Sequence, residues 1–153
     1  KYFEKSKIIL SSSNGYMFSI NSVDLYSNKK SGKKIFNIKK NDQYKTSCLF
    51  DEKKDKFIAI ILKNEKQDRL LIFDAKEVPT LQKGSGLISF KAKGFNLVSI
   101  HSLDDSLTFY NYQKKILDID KNMKKYLSKR GKPGKTIKVK NNKIFRGFEN
   151  NYL

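Results

Sequence analysis

Lys7-Ile8-Ile9-Leu10-Ser11-Ser12-Ser13-Asn14-Gly15-Tyr16-Met17-Phe18-Ser19-Ile20 holds two short apolar runs on either side of a Ser-Asn-Gly turn. The apolar spacing is short and mostly of period two, and Asn-Gly supplies the φ > 0 positions that a tight hairpin needs. This stretch therefore predicts a hairpin of two strands, Lys7–Ser11 and Tyr16–Ile20. Working outward, the same pattern predicts strands at Lys34–Ile38, Thr46–Phe50, Phe57–Leu62, Arg69–Phe73, Leu87–Phe90 and Phe95–Ile100. It continues at Leu107–Tyr112, Lys115–Ile119, Thr136–Val139 and Lys143–Arg146, with turns at Asn64–Asp68 and Asn141-Asn142. The fold class expected is all-β.

A repeat underlies these strands. Each unit opens with a hairpin, passes a polar segment, reaches a basic glycine loop and enters a strand that starts with an apolar residue. The loops are Asn28-Lys29-Lys30-Ser31-Gly32-Lys33-Lys34, Gln82-Lys83-Gly84-Ser85-Gly86, and Ser128-Lys129-Arg130-Gly131-Lys132-Pro133-Gly134-Lys135. Gly32, Gly86 and Gly134 recur at intervals of 54 and 48 residues, which gives units of about 7–56, 57–105 and 106–148. A period in that range belongs to propeller-like or solenoid arrays, whose units bury their faces against neighbours. The polar segments Asn21–Asp24 and Asp74–Glu77 have the Asx-x-x-acidic form that caps one helical turn. The third unit has Met123 at the acidic position, and its Asp120–Ser128 stretch reads as a short amphipathic helix.

Charge narrows the function. Lys and Arg total 33 against 15 Asp and Glu, a net +18 spread over the whole chain as +7, +3 and +8 for residues 1–50, 51–100 and 101–153. That excess favours a polyanionic partner, with nucleic acid the first candidate. The hydrophobic content of 38%, with 11 Phe and 8 Tyr, is enough to bury a core and argues against a disordered basic chain. The longest apolar run, Phe57-Ile58-Ala59-Ile60-Ile61-Leu62, is too short to span a bilayer, and no membrane partner is expected. Cys48 alone forms no internal disulfide and reads as a buried small residue. The first residues, Lys1-Tyr2-Phe3-Glu4-Lys5, do not resemble a signal peptide, and without an initiator Met the chain reads as a fragment forming one domain over 1–153.

On these residues a family becomes recognisable. Lys7–Phe18, Lys29–Ile38, Leu81-Gln-Lys-Gly-Ser-Gly86 and Arg130-Gly-Lys-Pro-Gly-Lys135 together resemble the C-terminal domain of the topoisomerase IV A subunit, within the type IIA topoisomerases. The similarity runs through about residues 7–148. It implies a β-pinwheel of four-stranded blades that exchange strands with their neighbours and bend duplex DNA around a basic rim. Three blades would make an open arc. It also implies a non-catalytic domain that helps choose the DNA crossing presented for strand passage in supercoil relaxation and decatenation. DNA cleavage and ATP hydrolysis, with their ATP and Mg2+, occur elsewhere in the parent, so no cofactor is expected here. The implied partners are double-stranded DNA and, within a heterotetramer, the ATPase B subunit together with the rest of the A subunit. The implied location is the bacterial cytoplasm, at the nucleoid. Gyrase A wrapping domains carry a Gln-Arg-Arg-Gly-Gly-Lys-Gly box. The nearest segment, Lys129–Lys135, has Lys132-Pro133 in place of its second Gly, which favours topoisomerase IV.

The glycine loops are the candidate DNA-binding sites because cations, exposed amides and a backbone that can approach closely are what a phosphate ribbon needs. The candidate DNA-binding residues are Lys29, Lys30, Lys33, Lys34, Lys83, Lys129, Arg130, Lys132, Lys135 and Lys138, with Gly32, Gly86 and Gly134 as structural glycines. In any single loop, turn geometry and solubility account for these residues equally well; repetition at one position favours DNA. The predominance of Lys, with Arg only at 69, 130 and 146, suits point-charge contact with phosphates over base reading. No catalytic residues and no metal site are expected. His101 is the only histidine and reads as a strand-end cap, Asp104-Asp105 and Asp118/Asp120 sit at turns, and Gly84-Ser85-Gly86 leads into a strand and not a helix. Two further classes stay open: a basic RNA-binding β-barrel that prefers single strands, and a protein-interaction propeller whose charge serves solubility.

Overall fold

The computed structural model describes residues 6–107, 109–110, 116–117 and 122–137. Among these residues ten strands follow in order: β1 (Lys7–Ser12), β2 (Tyr16–Asn21), β3 (Tyr44–Phe50), β4 (Phe57–Lys63), β5 (Asp68–Asp74), β6 (Leu87–Ile88), β7 (Asn96–Leu103), β8 (Phe109–Tyr110), β9 (Ile116–Leu117) and β10 (Lys135–Thr136). The only helical turns among the described residues are single 3-10 turns at Ser22–Leu25, Ala75–Glu77 and Met123–Tyr126. The expected amphipathic helix is thus one turn, ending in the buried Tyr126. Asp74 caps its turn, its side chain accepting from the Lys76 amide, whereas Asn21 makes no side-chain cap.

Two four-stranded antiparallel sheets, ordered β3-β1-β2-β6 and β10-β5-β4-β7, carry the fold, and β8 pairs with β9. In each four-stranded sheet the fourth strand arrives from the next repeat: Leu87 sits opposite Met17, and Lys135 opposite Leu70. This exchange makes the all-β array a β-pinwheel.

Burial follows strand alternation. Ile58, Ile60 and Leu62 of β4 face the first sheet and pack with Ile9, Met17 and Phe50, while Ala59 and Ile61 turn to a second core with Leu70, Ile72, Leu103 and Tyr126. Burial on both faces explains why Phe57–Leu62 is an unbroken apolar run. Each such side chain contributes about 1.5–3 kcal/mol when fully buried. A third core lies on the far face of the first sheet, where Phe18 meets Phe36 edge to face at a centroid distance of 5.1 Å.

The expected strand Lys34–Ile38 is absent; only an isolated bridge joins Phe36 to Gly84. Its counterparts, β6 and β10, owe their strand character to β2 and β5 beside them. Among the described residues no such strand lies beside 34–38, and an extended segment without a ladder partner is not a strand. The expected strand Lys143–Arg146 and parts of Leu107–Tyr112, Lys115–Ile119 and Thr136–Val139 lie outside the described residues.

Candidate nucleic-acid interface

The three loop glycines share one conformation, with φ of 75° at Gly32, 74° at Gly86 and 73° at Gly134. This is the left-handed region that favours glycine. At two of them the surroundings are also closed. A Cβ on Gly86 would stand 2.2 Å from the Met17 carbonyl oxygen, and one on Gly134 would stand 3.2 Å from that of Leu70. Both glycines lie over the second strand of the preceding sheet, and Gly32 has nothing within 4 Å.

The loops adjoin one another in series. The Gly84 amide donates to the Ile35 carbonyl at 3.0 Å, the Asn37 amide donates to that of Gly84 at 2.8 Å, and the Ser85 hydroxyl donates to that of Asn37 at 2.7 Å. One unit later the Gly131 amide donates to the Ser89 carbonyl at 2.8 Å, and the Lys91 amide donates to that of Lys132 at 3.4 Å. Ser89 stands three residues after Gly86 as Ile35 stands three after Gly32, so the same joint is made twice. Each loop therefore rests on the segment just beyond the preceding loop's glycine, and the three form a contiguous row.

The acids of the first two polar turns help to hold this row. Glu77 accepts the Arg130 amide at 3.0 Å, and Asp24 accepts the Gln82 side-chain amide at a long 3.5 Å. The spacing is legible in the sequence as a helix cap; its reach to the following loop is not.

Lys29, Lys30, Lys33, Lys34, Lys83, Lys129, Lys132 and Lys135 are all exposed along the row. Lys33 also donates to the Asp24 carbonyl at 2.8 Å. Arg130 differs. It is half-buried, its Nη1 donates to the Ile88 carbonyl at 2.6 Å, and its Nε is enclosed without a partner. Its guanidinium clamps the seam between loop three and the strand of the preceding unit. Lys138 lies outside the described residues. Lys91, exposed and tied to Lys132, joins the row although its sequence context gives no sign of it, because it lies beyond the glycine loop itself.

The remaining candidates take structural places. His101 does not cap a strand end. It is buried within β7, its Nε2 3.0 Å from the Ser99 hydroxyl, and burial pushes the imidazole down to about 4. Cys48 is half-buried with its side chain against the first core; burial, with the charge of Asp55 adding to it, pushes the thiol up to about 12. Asp104 accepts the Ser106 amide at 2.9 Å, a turn role. Asp118 and Asp120 lie outside the described residues. Among the described residues no group of three His, Cys, Asp or Glu side chains could hold a metal ion, and no helix is long and apolar enough to cross a membrane.

No family model matches the chain. Against curated proteins it is 32% identical over 130 residues to the A subunit of DNA topoisomerase 4 from Rickettsia felis, and 27% identical over 144 residues to that from Haemophilus influenzae. These alignments cover 84% and 88% of the chain but only 17% and 19% of those relatives, so the chain spans less than a fifth of their length. Among solved structures it superposes on the C-terminal domain of E. coli ParC with a TM-score of 0.70 at 19% identity, covering 88% of this chain and 57% of that one. The C-terminal domain of DNA gyrase A gives a TM-score of 0.62 at 19% identity, covering 86% and 43%. Shared sequence with the topoisomerase IV relatives over most of the chain, carried on this strand-exchanged fold, makes it a member of the C-terminal β-pinwheel domains of the topoisomerase IV A and gyrase A family.

Proposed function

We propose that this chain binds and bends duplex DNA as a non-catalytic domain of the topoisomerase IV A subunit, and so positions DNA crossings for ATP-dependent strand passage. The observation that carries the reading is the contiguous row of three glycine loops, each presenting exposed lysines and each seated on its predecessor. Lysine ammonium groups attract phosphates without reading bases, and a row fixed by backbone hydrogen bonds imposes its own curvature on a duplex laid along it. The partners are double-stranded DNA, the ATPase B subunit, and the remainder of the A subunit, in the bacterial cytoplasm. ATP and Mg2+ act elsewhere in the parent.

Binding measured against duplex length and salt tests the proposal. Affinity should rise until the duplex spans all three loops and should change little with base sequence. When Lys29, Lys30, Lys33 and Lys34 are changed to Gln, its logarithmic salt slope should fall by about 0.9 for each phosphate that those lysines neutralise. Affinity that levels off at duplexes spanning one loop, or stronger competition by single-stranded RNA, would overturn it. In the whole enzyme, removing the segment should abolish any preference between positively and negatively supercoiled plasmid.

A further inference from the structure

The edge strands β3 and β7 share a defect. Ser11 of β1 pairs with Thr46 and Ser12 pairs with Tyr44, so Lys45 is an extra residue in β3. Ile61 of β4 pairs with Ser99 and Leu62 pairs with Leu97, so Val98 is an extra residue in β7. A β-bulge bends its strand, re-aims a side chain and recurs beside functional sites. Here two of them, one in each sheet, frame the same opening. It is a cleft of about 790 Å³ whose lining includes Lys45, Lys63, Asn64, Lys66, Gly94 and Val98.

The chemistry of this cleft is that of an anion site. Lys45, Lys63 and Lys66 are exposed, against one lining acid, Glu65. The Asn64 side-chain carbonyl oxygen accepts both the Lys66 amide at 2.9 Å and the Gln67 amide at 2.8 Å, which leaves its Nδ2 as a donor with no acceptor among the described residues. Gly94, at φ 80° with open space where a Cβ would stand, lets a ligand approach the backbone. Another cleft of the same two sheets has the opposite character, its charged lining residues being Glu52, Asp55, Asp74 and Asp105 against Lys56 and Lys76. The two clefts thus differ in the sign of their lining charge.

We propose that the cleft between the two bulges is a second phosphate-binding site that takes a phosphodiester backbone of DNA. It is built from residues other than those of the glycine-loop row and flanks loop three: the Thr136 hydroxyl donates to the side-chain carbonyl oxygen of Gln67, next to Lys66, at 2.7 Å, and Gly94 stands three residues after Lys91. The inference rests on the reading of the chain as a DNA-binding domain and adds a contact surface beside loop three.

Two triple variants of the full chain separate the inference from that reading: Lys45→Gln/Lys63→Gln/Lys66→Gln in the cleft and Lys29→Gln/Lys30→Gln/Lys33→Gln in the row. With a long duplex, removing three phosphate neutralisations lowers the logarithmic salt slope by about 2.7, so the wild-type advantage over the cleft variant should shrink about 40-fold between about 50 and 200 mM salt. Thermal unfolding of the cleft variant should match wild type, since all three lysines are exposed, and Glu65→Gln should bind more tightly than wild type. A cleft variant with unchanged slope beside a row variant with reduced slope overturns this inference and leaves the proposed function standing. A wild-type chain without salt-dependent duplex affinity overturns both. Loss of affinity for a polyglutamate peptide in the cleft variant, with DNA affinity intact, assigns the cleft to an acidic protein segment and also overturns the inference.

Discussion

Gly32 and Gly86 hold the same backbone torsion, 75° and 74°, in opposite surroundings. Gly86 lies so close over β2 that a Cβ would collide with the Met17 carbonyl, while Gly32 stands in open space within a loop whose residues 28–34 are all exposed. The difference separates two reasons for a glycine. The torsion is a local demand of the loop and is met wherever the loop occurs. Close approach is a tertiary demand and arises only where a neighbouring strand lies underneath. Gly134, with its 3.2 Å clearance, falls between them.

Substitution by alanine breaks the comparison most directly. Gly86→Ala should cost about 3 kcal/mol or more, combining left-handed strain with a backbone clash, Gly134→Ala about 2, and Gly32→Ala about 1 from torsion alone. Denaturant unfolding of the three variants checks the order. Equal losses would mean that torsion sets the whole cost and that seating on the preceding strand is incidental.

Acid should loosen the sheet that underlies loop three while leaving the origin of the loop torsion untouched. His101 in β7 has its imidazole pushed down to about 4 by burial, against an ordinary value of 6.5. Between those values the unfolded chain takes up a proton that the folded chain does not, so stability is intact above pH 6.5 and falls as pH drops toward 4. At about 1.4 kcal/mol per pKa unit the loss is about 3 kcal/mol. Unfolding midpoints from pH 7 to 4 should decline in wild type and decline less in His101→Gln; parallel curves would remove His101 as the cause.

A smaller effect sharpens the contrast between braced and open loops. Arg130→Gln removes the charged hydrogen bond to the Ile88 carbonyl and should cost about 2 kcal/mol. Its effect on the salt slope of DNA binding should be smaller than that of Lys129→Gln, because the guanidinium faces the protein. A larger effect would return Arg130 to the proposed phosphate contacts.

These features differ in how far the sequence disclosed them. The hairpin β1–β2 was legible because Asn14-Gly15 and the alternation around it encode strand and turn locally, and β4–β5 because two apolar runs flank the polar Asn64–Asp68 turn. The three glycines were legible because left-handed torsion selects their residue type wherever it occurs. Lys34–Ile38 misleads because its apolar pattern matches that of Leu87–Phe90, yet a strand requires a partner and pattern alone does not supply one. Arg130 reads as a free cation for the same reason: its carbonyl acceptor lies 42 residues earlier. The bulges at Lys45 and Val98 were invisible, since an extra residue exists only relative to the strand it is paired with.

The donated fourth strand also governs the order in which the chain can mature. When Asn21 has left the ribosome, the sheet containing β2 still has an open flank, and it stays open until Leu87 and Ile88 are synthesised. The sheet built on β5 waits likewise for Lys135 and Thr136. Synthesis therefore runs one repeat ahead of completion, and every nascent intermediate exposes a row of unpaired backbone donors and acceptors that invites pairing with a neighbouring chain.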